Sequence, residues 1–370
     1  MRRGSFLHIL ILGVAFLTPV LIPGAGKTAV APVGQLPEVA VSVTPSIYAL
    51  PILLLNEMGE WKDFGIQVNV KVHANGEEQI DRIAGNEWEV AVMESFHAIK
   101  GGNEGDVSIV GLAGNPALLL APKGWPLIQK GSPLLTEGPA VHLPVFLVAT
   151  SVFADTRKTL VMRWLEGYAR GLGVIQKNPS RAASLLKTFY RDTLKIEIPE
   201  QTLEKELKKA FVFEEQKRDE AFMGKEGKPS RVEVFAVAMT DYLLEGKALE
   251  SKRDPAEYVL AAVCGQVSKL RGEAEAQLRK TRLAIDRAQK EGTPVDAIQK
   301  KWEEARGQLQ ESRGCLTVIG ILSDLERSAE QGLVATRRLY EFRKIEAGIG
   351  VVCALYFVGY FVCRGKKFKA

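Results

Sequence analysis

Between residues 39 and 112, short apolar stretches alternate with amphipathic ones, and this alternation constrains the fold more than any other feature of the chain. Strand candidates occupy residues 39–43, 66–72, 89–92 and 107–112. Helix candidates occupy residues 47–60, 77–84 and 95–100. Strands that alternate with helices at this spacing predict an α/β fold with a mostly parallel sheet and helices on both faces.

The pattern is interrupted from Asn115 to Pro144, where many prolines and glycines predict a loop or a connection between two pieces of one domain. Residues 145–150 form a further apolar strand candidate. Helices are predicted at residues 155–177, 180–190, 200–211, 232–244 and 256–263. Asp254 and Pro255 provide an N-cap and a first-turn proline for the last of these helices.

After Cys264 aromatic residues become rare, and Glu, Lys, Arg, Gln and Ala dominate. Two imperfect apolar seams separated by Gly292-Thr293-Pro294 predict an antiparallel helical hairpin, or coiled-coil stalk, within residues 264–346. A third helix is predicted at residues 319–345. The alternative is a solitary charged helix on the surface of the globular domain.

The N-terminus has two arginines, then an apolar run, then prolines and small residues, which is typical of a secretion signal at residues 1–26. An uncleaved signal anchor is the alternative interpretation. Gly24-Ala-Gly-Lys-Thr28 looks like the end of a phosphate-binding loop. Because Leu21 stands where that motif requires glycine, nucleotide binding is not predicted.

A second apolar run of about 17 residues lies at 347–363, at the lower limit for a transmembrane helix. A basic tail at residues 364–370 follows, and the positive-inside rule places such a tail in the cytoplasm. We therefore expect a single-pass C-terminal anchor in the cytoplasmic (inner) membrane, with the main domain periplasmic or otherwise extracytoplasmic. A buried core helix at the chain end is the alternative.

Composition excludes several classes of function. The net charge of +5 is small, and the basic and acidic residues are interspersed, so no nucleic-acid partner is expected. Four cysteines and four histidines lie too far apart to suggest a metal site, and no cofactor is expected. His73, His97 and His142 are scattered and no nucleophile-elbow motif is present, so we do not expect an enzyme.

Several short motifs, none of them diagnostic alone, follow one another in an order that is typical of one protein family. They are Trp61-Lys-Asp-Phe-Gly-Ile-Gln-Val68, Asn75-Gly-Glu-Glu-Gln-Ile80, Ala84-Gly-Asn-Glu-Trp-Glu-Val-Ala-Val-Met-Glu-Ser95, Val107-Ser-Ile-Val-Gly111, Leu143-Pro-Val-Phe-Leu-Val-Ala-Thr-Ser-Val-Phe-Ala154 and Gln176-Lys-Asn-Pro-Ser-Arg-Ala-Ala183. Over about residues 38–263 this order resembles the periplasmic substrate-binding proteins of ABC importers, nearest to the nitrate/sulfonate/taurine type, and the corresponding domain is placed at residues 36–263. The resemblance implies a periplasmic-binding-protein-like lobe that captures a small molecule for import or sensing, with a membrane permease as partner.

The chain also departs from that family. Family members carry a whole second lobe between the segments that match Gly114 and Trp125, where this chain has only about ten residues. The domain is therefore expected to be shortened, with one wall of the ligand cleft missing. The related pyrimidine-forming enzymes use a cysteine-rich signature that this chain lacks.

In such a lobe, ligands meet the loops at the carboxyl ends of the strands, where helix N-termini point backbone N–H groups outward. Those loops contain the candidate ligand-binding residues Thr44, Ser46, Tyr48, Asn75, Glu94, Ser95 and Asn115. Ordinary caps, turns and core positions are the alternative roles for these residues. Since Glu94 would repel an anion, it favours an amine or a neutral heterocycle as ligand.

Two hypotheses about function follow. The first is a membrane-tethered, extracytoplasmic solute-binding protein, and the second is a degenerate binding fold that serves as a scaffold for other proteins at the membrane. Cys264 and Cys315 bracket the predicted hairpin, and they are either a disulfide across its base or two buried thiols.

Overall fold

A computed structural model of the protein describes residues 36–113, 144–211, 220–223, 228–311 and 314–366. The predicted signal at residues 1–26, the candidate ligand residue Asn115 and His142 lie outside the described residues.

Five strands form one sheet in the order β2-β1-β3-β5-β4. They are β1 (Glu38–Val43), β2 (Gln67–Val72), β3 (Val90–Glu94), β4 (Val107–Leu112) and β5 (Val145–Thr150). β1 pairs in parallel with β2 and β3, whereas β5 runs antiparallel to both β3 and β4. Four strands thus point the same way, and the predicted mostly parallel sheet is confirmed.

Helices cover both faces of the sheet, as predicted. They are α1 (Leu50–Met58), α2 (Gly76–Asp81), α3 (Ser95–Glu104), α4 (Ser151–Thr156), α5 (Lys158–Lys177), α6 (Pro179–Leu194), α7 (Glu200–Phe211), α8 (Arg231–Glu245) and α9 (Pro255–Tyr258). Short 3-10 helices at Ile47–Ala49 and Glu60–Phe64 flank α1.

Each face of the sheet has its own core, because alternate residues of a strand point to opposite faces. Val39, Val41 and Val43 of β1 join the core formed with α1, α5, α6 and α7. The other core contains Phe146 and Phe235, whose rings meet edge to face at 5.9 Å, together with residues of α3 and α9.

The last part of the described chain consists of α10 (Ala261–Lys290), α11 (Asp296–Gln310) and α12 (Cys315–Lys366). Gly292, with a φ of 78°, forms the predicted turn between α10 and α11. A third core joins the three helices, and Trp302 is its largest side chain. The indole N–H of Trp302 donates a hydrogen bond to the Leu278 carbonyl at 3.1 Å.

The helix predicted at residues 256–263 is split. α9 starts with the Asp254 cap and Pro255 as predicted, and ends at Tyr258. The next residues are extended, and Leu260 donates its N–H to the Ile109 carbonyl at 2.8 Å. Because β4 is an edge strand, this contact covers part of its free edge. α10 then begins at Ala261, so the predicted domain boundary after residue 263 lies inside a helix.

α12 is much longer than the helix predicted at residues 319–345. Among the described residues, no helix combines the length and the apolar character needed to cross a membrane. In the predicted anchor at 347–363 and tail at 364–370, side chains are described only as far as Tyr356.

Candidate functional site

The carboxyl ends of β1 to β4 meet at one edge of the sheet, as the parallel arrangement requires. Backbone hydrogen bonds join the segments there: His73 N–H to Val43 O at 2.9 Å, Ser95 N–H to Pro144 O at 3.2 Å, and Ala113 N–H to Val145 O at 2.8 Å. Open α/β sheets bind ligands at this edge, which we call the carboxyl edge.

The three candidates after β1 lie in different environments. Thr44 is buried, and its carbonyl accepts the Ser46 N–H at 2.7 Å. Ser46 occupies the N-cap position of the first 3-10 helix, but its hydroxyl makes no capping hydrogen bond. The ring of Tyr48 packs edge to face on Phe211 of α7 at 5.7 Å, and burial raises the pKa of its phenol. Tyr48 is therefore a core residue.

Asn75 and Glu94 both stand directly before helices. The Asn75 side chain accepts the Glu78 N–H at 2.9 Å, so this candidate acts as a helix cap. Glu94 precedes α3 without making a side-chain cap, and half of its side chain is exposed. The Asn75 side chain is therefore engaged in capping, whereas the Glu94 carboxylate faces solvent and makes no capping hydrogen bond.

Ser95 and His97, in the first turn of α3, each have a buried polar atom without a partner among the described residues. Ser95 is fully buried, yet its Oγ has no hydrogen-bond partner among the described residues. His97 Nδ1 is also buried and lacks a hydrogen-bond partner there. The imidazole lies against Gly76, where any Cβ would come within 2.4 Å of Nδ1, so only glycine leaves room for the ring.

A buried hydrogen-bond network lies beneath the carboxyl edge. The Ser42 hydroxyl is 2.8 Å from His73 Nδ1 and accepts a hydrogen bond from Gln79 Nε2, also at 2.8 Å. Gln79 Nε2 also lies 3.2 Å from the Val92 carbonyl, while Gln79 Oε1 has no partner in the described chain. Nothing in the sequence pattern marked Ser42 or Gln79, because their role depends on contacts between distant segments.

Ser42, His73 and Glu87 have the residue types of a serine-nucleophile triad, but the arrangement does not suit catalysis. Ser42 has no exposed surface, so a substrate carbonyl cannot reach its Oγ. The Glu87 carboxylate lies 3.9 Å from His73 Nε2, beyond hydrogen-bonding distance. These residues stabilise the packing of α2 on the sheet.

Carboxylates dominate the charge around His97. Glu94 Oε2 lies 3.8 Å from Nδ1, and Glu77 is also near enough to favour the imidazolium. Burial nevertheless lowers the pKa of His97, and Lys100 acts in the same direction. This edge therefore suits a cationic or neutral hydrogen-bonding group better than an anion.

Cys264 and Cys315 are both half-buried, and neither is in a disulfide in this structure. The disulfide that the sequence allows is thus not formed here. In the part of the chain that the structure describes, no group of three or more His, Cys, Asp or Glu side chains could hold a metal ion.

No protein-family model matches the chain, and no curated protein matches it. Solved structures do resemble it. A conserved Candida albicans gene product with the generic periplasmic-binding-protein fold is 11% identical, with a TM-score of 0.42 over 60% of this chain and 93% of that one. The periplasmic aliphatic sulphonate binding protein SsuA from Escherichia coli is 9% identical, with a TM-score of 0.43 over 60% and 91% of the two chains.

The alkanesulfonate-binding protein SsuA from Xanthomonas axonopodis pv. citri, bound to MOPS, is 11% identical. Its TM-score is 0.42, over 62% of this chain and 98% of that one. These neighbours have the periplasmic-binding-protein fold. At such values the likeness concerns the arrangement of the chain alone, and it identifies no ligand for this protein.

Proposed function

We propose that this protein binds a small solute at the carboxyl edge without transforming it. The observation that carries the proposal is the pair of buried polar atoms without partners, Ser95 Oγ and His97 Nδ1. A buried polar group without a partner costs about 1–3 kcal/mol, so native proteins contain few of them. Both atoms are closed off from solvent in this structure, so a ligand reaches them only when the first turn of α3 moves. The hydrogen bonds that the ligand then supplies would offset that cost.

The surrounding charges favour a ligand with an amine or a neutral donor. Glu94 and Glu77 flank His97, and the exposed Glu94 carboxylate is available to an ammonium group. The proposed ligand therefore differs from the sulfonates named for two of the neighbours. Diamines, amino acids and neutral heterocycles are the classes that fit.

We further propose that residues 347–363 tether the protein to a membrane, with the binding domain on the extracytoplasmic side. The apolar run and the basic residues after it support this arrangement. Ile349, Val352 and Tyr356 on α12 are 59–75% exposed, which is unfavourable for apolar side chains in water. A permease or a sensor in the same membrane would be the partner for a captured solute.

The test is a binding screen on the full chain in lipid nanodiscs, using diamines, amino acids, pyrimidines, nitrate and sulfonates. Thermal shift identifies ligands, and calorimetry then gives the Kd. We expect an amine or a heterocycle to bind and Ser95→Ala to weaken that binding about tenfold, as the loss of one hydrogen bond does.

Ser230→Ala is the matched control, because Ser230 is also buried but caps α8 far along the chain from β3. It should lower the free energy of unfolding by about 0.5–2 kcal/mol and leave the Kd unchanged. Ser95→Ala should leave stability unchanged or raise it. A folded protein that binds nothing in the screen would refute solute binding and favour the scaffold role, for which the exposed apolar part of α12 is the candidate surface.

A further inference from the structure

A cleft of about 660 Å³ lies between the α/β part of the chain and the helices that follow it. Its walls are one face of α5 and the first turns of α10, and its floor contains Phe64, Leu112 and Leu147. This volume is within the range of roughly 300–1,000 Å³ that small-molecule sites occupy. Leu112 is the last residue of β4, but none of the candidate ligand residues described at the carboxyl edge lines the cleft.

The cleft is elongated along α5. Its lining on that helix extends from Glu166 to Lys177, which corresponds to about 16 Å at the helical rise per residue. Between these two residues lie Ala169 and Gly173, whose small size leaves space in the cleft. A Cβ on Gly173 would have nothing within 4 Å. On the opposite wall Val267 of α10 faces the same space. The cleft therefore suits an extended apolar chain.

The charged groups at the cleft differ in whether they already have partners. The Glu166 carboxylate accepts the Cys315 N–H at 2.7 Å and lies 3.3 Å from the Leu316 N–H, at the start of α12. Arg170 pairs with Glu60 at 3.1 Å, and Arg271 pairs with Glu275. Glu220 also lines the cleft, and it too has an interaction partner. Lys177, at the C-terminal end of α5, makes no ion pair with any other described residue.

We propose that this cleft is a second ligand site, which binds an amphiphile with an apolar chain and a single anionic head group. The chain lies over Phe64, Leu112, Leu147 and Val267, and the carboxylate or sulfonate head pairs with the Lys177 ammonium. Because Cys315 at the start of α12 also lines the cleft, a ligand there contacts the α/β part and the start of α12 at the same time.

Thiol protection tests the proposal on the full chain in phosphatidylcholine nanodiscs. Cys264 lines the cleft and is half-buried, whereas Cys353 is exposed on α12 and provides an internal control. Burial raises the pKa of the Cys315 thiol to about 12, so Cys264 is the better reporter. Its alkylation by N-ethylmaleimide is followed by peptide mass spectrometry as decanoate or decyltrimethylammonium is added.

We expect decanoate to protect Cys264 saturably while Cys353 reacts as before. Gly173→Leu, which fills the cleft, should raise the protecting concentration at least about tenfold, and Lys177→Gln should raise it several-fold. Gly320→Leu is the matched control, since Gly320 is a helical glycine outside the cleft with equal space around it, and it should change nothing.

Three results would overturn the proposal. One is the absence of protection by decanoate, and another is equal protection by decyltrimethylammonium, which would exclude an anionic head group. The third is protection that survives Gly173→Leu, since the amphiphile would then act elsewhere. None of these results depends on Ser95, His97 or Glu94, because none of these residues lines the cleft.

Discussion

At the scale of single residues, the candidate site is defined by polar atoms without partners rather than by reactive ones. Ser95 and Gln79 are fully buried, yet Ser95 Oγ and Gln79 Oε1 have no hydrogen-bond partner in the described chain. Where a serine and a histidine do meet, at Ser42 and His73, Gln79 also hydrogen-bonds to the serine hydroxyl. Recognition of a ligand is the role that we propose for the unpartnered atoms.

His97 should make stability depend on pH. Burial lowers its pKa in the folded state below the ordinary value of 6.5, although Glu94 and Glu77 oppose the shift. The unfolded chain therefore binds a proton more readily, and the folded state should lose stability as the pH falls from about 6.5 towards the lowered pKa. Urea unfolding between pH 5 and pH 8 measures this contribution.

The matched variant for that experiment is His97→Gln, which retains a polar side chain but cannot titrate. Its free energy of unfolding should change less with pH than that of the parent protein over the same interval. Equal pH profiles for the two proteins would show that other groups cause the acid sensitivity.

At the scale of elements, two close contacts fix how the helices meet. α5 crosses α1 so tightly that a Cβ on Gly171 would come within 2.5 Å of the Pro51 carbonyl oxygen. The start of α12 is held on α5 by Glu166, which receives the first two N–H groups of that helix. Both contacts join segments far apart in the chain.

The crossing can be tested with two neighbouring glycines of α5. Gly171→Ala should lower the free energy of unfolding by at least about 1–3 kcal/mol, because the obstacle is backbone and cannot rotate away. Gly173→Ala should raise it by up to about 1 kcal/mol, since alanine favours the helix and meets nothing. Similar urea midpoints for the two variants would contradict the observed crossing.

The Glu166 contact predicts a difference between alanine and glutamine. Glu166→Ala leaves two backbone N–H groups of α12 without their acceptor and should cost about 1–3 kcal/mol of unfolding free energy. Glu166→Gln keeps one acceptor oxygen. Burial raises the pKa of the Glu166 carboxyl, which shows that the site disfavours its charge, so removing the charge should lower the free energy of unfolding less than removing the acceptor. In chemical denaturation, the free energy of unfolding of Glu166→Gln should therefore lie closer to that of the parent protein than does that of Glu166→Ala. The reverse order would exclude a capping role for Glu166.

At the scale of the whole molecule, the helices after residue 260 are part of the same packed unit as the sheet. From Pro37 onward the chain groups as one unit by its contacts. Leu260 bonds to the edge of β4, and Cys315 bonds to α5. From Arg337 to Tyr356, however, every side chain of α12 is exposed. Among the described residues, many of the exposed large apolar side chains lie in that part of α12.

The proposed tether is tested by shortening the chain. A protein ending at Glu346 should remain in the supernatant when centrifuged with liposomes, whereas the full chain should sediment with them, because only the latter has the apolar run. A chain ending at Cys363 is the control that keeps the run and loses the basic tail, and it should still sediment. A full chain that stays in the supernatant would refute the tether.

Local patterns in the sequence were sufficient for the strands, the sheet type and several helix ends. Alternating or continuous apolar residues identified the strands, and Asp254, Pro255 and Gly292 marked a cap and a turn correctly. These signals lie within a few residues of one another, where backbone preferences and period-two burial act. The helix predicted at residues 256–263 failed because Leu260 is held by β4, about 150 residues earlier in the chain.

Tertiary structure alone decided which polar residues became functional candidates. Tyr48 and Asn75 look like site residues in sequence, but one packs in a core and the other caps a helix. Glu166 and Lys177 look like ordinary helix-surface residues, yet they line the cleft with Val267 and Cys315. Burial and the presence of a partner depend on segments that meet only after folding, so no local pattern could have revealed these roles.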